Sequence, residues 1–487
     1  MSATMRKIFS IAALLLIVAT GCKKFEDFQI DPNKPTQSTP DLLLSTVIQD
    51  AFQSTNLGAT LATRQMVFVN SVSNDQYYGW TRASFDTYNK LRQVVKMEEE
   101  ANRMQKPEYI PLAKFFKAYY FMKLTNTFGD IPYTSALKGE QDSLTPVYDK
   151  QQTIYVSVLD DLKAANTLIT NTTADVQGDI LYKGRMQQWK RLINTLSLRI
   201  LMSLSVKENN TSLNVKGRFA EIVNNPQNYP LMTGNSDNGE LVFHDVLGTR
   251  YPTFNDNDLQ TAYYMDATFV DLLKGLQDPR LFRFAEKAPD HVALPDNDFN
   301  AYGGAKGSDP VNVNSSKVLA GEVSKIKSRY FNNPVNEPSI AIGYGELQFI
   351  LAEAVVRGWI SGNAAEYYTK GVQASMQFYA IDQTAIDNYL KANPFPAADQ
   401  LKAIMTQKYI ASFMNSDWNF FYEQRRTGLP VFDVTGAGVL NDKKIPKRWM
   451  YPVSELQNNQ ANVNAAISSQ FSGNDNINGV MWLLKAE

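Results

Sequence analysis

The sequence predicts a mainly α-helical protein with one long loop-rich stretch in its second half. Three observations carry this. Runs at residues 109–133, 186–206 and 346–357 place apolar side chains at helical spacing. Turn formers stop two of them: Gly129 and Pro132 after the first, Gly358 after the third. Between residues 224 and 345, Asn, Asp, Gly and Pro become dense and the helical period fades. Composition fits one large globular body: 487 residues, 44% hydrophobic and 20% charged, can bury a sizeable core.

The chain opens with Met5-Arg6-Lys7 and then residues 8–18, almost all apolar. A charged start before an apolar run too short to span a bilayer reads as an export signal. It ends in Ala19-Thr20-Gly21-Cys22, which resembles a lipobox, although Ala19 stands where Leu is preferred. Cys22 is the sole cysteine, so a thioether link to lipid is its expected role, with no thiol left for a disulfide, a metal or catalysis. No later run is long and apolar enough to cross a membrane. The expected division is a signal at 1–21, a lipidated tether at 22–41 and one domain at 42–487. Residues 23–28 are a charged lead and 30–35 are too proline-rich for a helix. Thr39 or Asp41 can cap a helix over 42–54.

Residues 73–88 mix rings and polar groups without helical spacing: Tyr77, Tyr78 and Trp80 lie among Asn74, Asp75, Gln76 and Arg82. Two readings compete. One is an aromatic loop packed on the domain. The other is a sugar-binding surface, in which flat rings stack on C–H faces and polar groups bind hydroxyls. Helices follow at 91–104, 109–133, 153–167 and 186–206. Pro111 suits the first turn of the second. Leu112, Phe115, Phe116, Tyr119 and Met122 form one row and Phe121 and Leu124 another, so that helix is expected to be buried between others.

Loops are expected at 254–258, 295–302 and 332–338, with Tyr251, Phe254, Tyr263, Tyr264 and Tyr302 as candidate contacts. Asp296, Asp298 and Asn300 imitate the start of a calcium loop, but Ala301 and Gly307 stand where the turn Gly and last carboxylate belong, so a plain loop is expected. Helices resume at 346–357, 364–379 and 401–413. Glu346 and Glu353 share a face, as a glycosidase pair could, yet Arg357 one turn beyond Glu353 reads as an ordinary ion pair. Arg425 and Arg426 read as an anion site or as clamps fixing helices through carboxylates and carbonyls.

Net charge of −1 argues against a nucleic-acid partner. His244 and His291 stand apart without ligand spacing, and no nucleophile elbow, phosphate loop or zinc-protease motif appears. No enzyme activity, metal or cofactor is expected. The composition-based ligand contacts are Asp75, Tyr77, Tyr78, Trp80, Arg82, Phe254 and Tyr302.

Several motifs in order carry a resemblance. They are the buried helix ending Phe128-Gly129-Asp130-Ile131-Pro132-Tyr133; Gly345-Glu346-Leu347 with Leu351-Ala352-Glu353-Ala354 and Arg357-Gly358; Arg425-Arg426-Thr427-Gly428-Leu429-Pro430; Ile445-Pro446-Lys447-Arg448 with Tyr451-Pro452; and Trp482 near the end. Together with Asp31-Pro32-Asn33-Lys34-Pro35 they resemble the SusD/RagB family over nearly the whole mature chain. The resemblance implies tetratricopeptide-like helix pairs on one side and a loop-rich ligand-binding side. It implies a nutrient-binding lipoprotein of the Bacteroidetes outer membrane, held by lipid at Cys22, its acidic lead resembling a surface-export signal. It further implies capture of an oligosaccharide or peptide for a SusC-like TonB-dependent transporter. The alternatives are a surface glycoside hydrolase and a helical scaffold binding only protein.

Overall fold

The computed structural model describes residues 37–139, 144–415 and 417–486. The export signal, Cys22, the charged lead and the proline-rich 30–35 segment lie outside them. The architecture is helix after helix. α1 (Pro40–Phe52) carries a proline in its first turn. Thr39 occupies the cap position without a side-chain hydrogen bond and Asp41 lies inside the helix, so neither caps as expected. α2 (Thr87–Arg103), α3 (Ile110–Phe128), α4 (Gln151–Leu168), α5 (Met186–Ser203) and α6 (Val215–Val223) follow, each packed on the one before.

α3 is the axis of this half. It is buried on all sides, and its three lysines escape along its rim: Lys114 to Asp161, Lys117 to Glu98, Lys123 to Asp417. Phe52 of α1 stacks on Phe115 and Tyr119, and Trp189 of α5 closes edge-on against Phe52, Phe115 and Phe116. Gly129 ends α3 at φ +94°, where a Cβ would meet Gln470 Oε1 at 2.2 Å. That oxygen accepts from the Asp130 N–H instead.

The 224–345 stretch is irregular but not free of helix. α7 (Ala267–Gly275), capped by Asp266, and α8 (Val311–Leu319) lie inside it. Each is too short to present a clear period in sequence. A five-residue helix, Asn257–Thr261, capped by Asp256, also begins inside the loop expected at 254–258. Two small antiparallel sheets tie the irregular side to the helices. β1 (Met66–Phe68) pairs with β3 (Tyr263–Met265), and β2 (Gly239–Leu241) with β4 (Ser339–Ile342).

α9 (Tyr344–Val356), α10 (Ala364–Phe378), α11 (Gln383–Ala392) and α12 (Gln400–Ala411) build a second apolar centre around Phe349, Tyr368, Met376 and Ile404. α13 (Asn419–Thr427) and α14 (Gln460–Phe471) complete the body. Charges stitch α9, α12 and α13 together. Arg426 grips Glu353 with two hydrogen bonds (2.6 and 2.8 Å) and also Glu423, which takes Lys408 at 2.9 Å. Arg357 reaches Glu353 as expected, and Glu346 is engaged instead by Arg199. Arg425 donates to the carbonyls of Asn126 and Lys447. The arginine pair therefore clamps helices and loops.

Candidate functional site

The ring-rich 73–88 stretch folds locally first. Ser73 caps the turn Asn74–Tyr77, and Tyr78 ends it in the left-handed region at φ 58°. That reversal sends adjacent rings to different places. Tyr77 donates to the Asp309 carbonyl at 2.9 Å, and Tyr78 donates to the Ala62 carbonyl at 2.8 Å beneath the Arg64 guanidinium. Both tyrosines are core residues with satisfied hydroxyls. Burial pushes the Tyr78 hydroxyl up to about 12.

Residues 80–83 then run beside 449–451. Arg82 bridges to Met450, and the Ala83 N–H donates to the Met450 carbonyl. This register lays Trp80 on Trp449, centroids 3.9 Å apart and 11° from parallel. Trp418 closes edge-on against both, and Phe421 tilts beneath Trp80. Trp80 itself is 5% exposed, whereas Trp418 and Trp449 are only partly buried. The Trp80 Nε1 donor has no partner among the described residues. Arg82 is held by the Tyr451 carbonyl and by Asp475, which Arg448 shares. Lys447, next in chain to Arg448, is half-buried, and burial with the neighbouring Arg425 cation lowers its pKa.

The other expected contacts sit elsewhere. Asp75 is half-buried over Gly58, and desolvation raises its pKa. Phe254 is half-buried under Arg250, with the guanidinium 5.3 Å from the ring centre. Tyr302 is buried against Phe282 and donates to the Asp296 carbonyl, and Asp298 accepts from the Asn300 N–H within that loop. Among the described residues no ring contact joins Phe254 or Tyr302 to the tryptophans.

The structure thus brings Trp80 and Arg82 together, buries Tyr77, Tyr78 and Tyr302, and leaves Asp75 and Phe254 apart. It adds Trp418 and Trp449, which sequence reasoning did not single out as contacts. Their only prior signal was aromatic residues beside the two arginine-bearing motifs. Chemically the cluster offers the ring faces of Trp418 and Trp449 and the neighbouring Arg82 guanidinium, over a buried indole donor at Trp80. Among the described residues no group of His, Cys, Asp or Glu is arranged to hold a metal.

A family model described as "Starch-binding associating with outer membrane" matches residues 32–452. No curated protein sequence matches the chain. Solved structures do. A candidate nutrient-binding outer-membrane protein of Bacteroides vulgatus is 39% identical, covers 92% of this chain and 100% of its own, and superposes with a TM-score of 0.87. A SusD homologue of Bacteroides fragilis is 41% identical over 93% and 100%, with a TM-score of 0.86. A chitin-binding protein, 23% identical over 92% and 100%, shares the fold at a TM-score of 0.73. With a family model over most of its length and relatives about 40% identical over more than nine-tenths of it, the chain belongs to the SusD-like family of starch-binding proteins that associate with the outer membrane.

Proposed function

We propose that this protein is a cell-surface lipoprotein, anchored through Cys22, that captures an oligosaccharide and passes it to a SusC-like TonB-dependent transporter. It binds without cleaving. Family membership supports nutrient binding at the outer membrane. The observation that carries the site is the Trp80–Trp418–Trp449 cluster. Its buried member is locked by stacking, so its outer members are held as rigid platforms. Rigid rings lose little conformational entropy on binding a sugar, and each stacking contact is worth about 0.5–1.5 kcal/mol beyond burial. Arg82 lies beside the cluster, partly exposed, and its guanidinium N–H groups not taken by Tyr451 and Asp475 are donors for hydroxyls. The test is calorimetry of the mature chain against maltooligosaccharides, chitooligosaccharides and oligopeptides. Trp449→Ala is expected to weaken the glycan that binds by tenfold or more, with no sugar released. Binding unchanged in Trp449→Ala and in Trp418→Ala would remove the site. A peptide as the only ligand would replace the substrate class, and measurable glycan hydrolysis would restore the glycosidase reading.

A further inference from the structure

The guanidinium of Arg82 is only half used by the fold. Nη1 makes both protein contacts, donating to the Tyr451 carbonyl at 2.8 Å and to Asp475. Nε and Nη2 have no partner among the described residues, and both reach solvent, the side chain being 30% exposed. Their N–H groups lie parallel along one edge of a planar cation. That fork matches the two oxygens of a carboxylate.

The local charge balance points the same way. Asp475 is shared: Oδ1 takes Arg448 at 2.6 Å and Oδ2 takes Arg82. Two guanidinium groups thus meet one carboxylate. Among the described residues no other carboxylate lies within ion-pair distance of either. Asp86, four residues beyond Arg82, accepts from Ser84 instead. Arg448 is fully buried over the rings of Tyr451 and Phe471, so Arg82 presents the surplus positive charge to solvent. A hydroxyl leaves that charge unmatched. A carboxylate matches it, through charge-assisted hydrogen bonds about twice as strong as neutral ones.

Arg82 also stands within reach of the tryptophans. It is two residues from Trp80, so their Cα atoms are at most about 7 Å apart. It bridges to Met450, the residue after Trp449. We propose that the glycan captured at the tryptophans is acidic: an oligosaccharide in which a uronate carboxylate docks on the Nε–Nη2 edge of Arg82 while a neighbouring sugar stacks on Trp449 or Trp418. This rests on the tryptophan cluster being the glycan site.

The test is calorimetry of the full mature chain with galacturonate, glucuronate and mannuronate oligomers, each beside its neutral methyl ester. At least one uronate oligomer is expected to bind tenfold or more tighter than its ester. That advantage should shrink as sodium chloride rises from about 0.05 to 0.5 M, because the cation is partly exposed. Arg82→Gln is expected to weaken the acid tenfold or more and the ester far less. Asp475 keeps Arg448 in this variant, so a melting curve is expected to show it folded. Trp449→Ala is expected to weaken acid and ester alike. The proposal is overturned by esters binding as tightly as acids, by neutral glycans binding where no uronate does, or by an acid preference that survives in folded Arg82→Gln. If that variant does not fold, the acid–ester comparison in the wild type decides. Glycan binding untouched by both Trp449→Ala and Trp418→Ala would instead remove the tryptophan site, and this proposal with it.

Discussion

At the scale of single residues, burial separates rings that composition cannot distinguish. Trp80, Trp418 and Trp449 share one cluster but not one exposure. Trp80→Ala opens a hole beneath Trp449 and beside Phe421. Large-to-small changes at such sites cost about 3–5 kcal/mol. The expected outcome is a clear drop in melting temperature, with ligand affinity falling as the platform loosens. Trp449→Ala removes a partly exposed ring, and is expected to lower melting temperature much less than Trp80→Ala does. Calorimetric melting of both variants checks this; equal melting temperatures would mean that Trp80 is not the packed member.

At the scale of elements, three helices are joined by charge rather than by apolar contact alone. Glu353 of α9 is fully buried and accepts from Arg426 of α13 and from Arg357. Removing one partner of a buried pair strands the other, at a cost of about 3–5 kcal/mol. Arg426→Met is therefore expected to destabilise strongly, leaving both Glu353 and Glu423 short of a counter-ion. Arg357→Met, at the partly exposed end of the same chain of charges, is expected to cost about 1 kcal/mol or less. Urea unfolding of the two variants measures the contrast. Similar losses would show that the network acts as one unit rather than as a buried core with an outlying arm.

At the scale of the molecule, carboxylates pull stability in opposite directions with pH. Arg426 and its neighbouring cations overcome burial and hold Glu353 and Glu423 below the usual carboxylate range. Their contribution is complete above the unfolded value of 4.5 and is lost as pH falls through the lower folded values. Burial instead raises Asp266 and Glu240, whose cost is relieved as pH falls through their raised folded values. Above 4.5 only the relief at Asp266 and Glu240 acts, and below it the loss at Glu353 and Glu423 takes over. Melting temperature is expected to change little from neutral pH down to about 5, then to fall below about 4. Glu423→Gln should make that acid limb shallower; an unchanged limb would assign acid unfolding to other groups. The proposed lipid anchor at Cys22 is tested at the same scale. Cys22→Ala is expected to leave a soluble or uncleaved chain, since stable anchoring takes two or more acyl chains. A mature variant that still fractionates with the outer membrane would show that Cys22 is not the anchor.

The sequence by itself determined the helical class, the long helices and the family. An expected span of 186–206 became Met186–Ser203, and 364–379 became Ala364–Phe378. Such helices are legible because their apolar period is local and repeats for several turns. The clamp role of Arg425 and Arg426 was likewise legible as one of two readings, since arginine pairs beside helix ends have few other partners. Only the tertiary structure decided which rings could meet a ligand. Tyr77, Tyr78 and Trp80 look alike in sequence. A left-handed residue at Tyr78 and the strand-like pairing of Arg82 with Met450 bury all three and leave Trp418 and Trp449 partly exposed. Neither α7 nor α8 was legible, being too short to show a period. The tryptophan cluster was invisible for a related reason: its rings come from positions 80, 418 and 449, and their meeting is set by packing and pairing across the fold, which no local stretch of chain encodes.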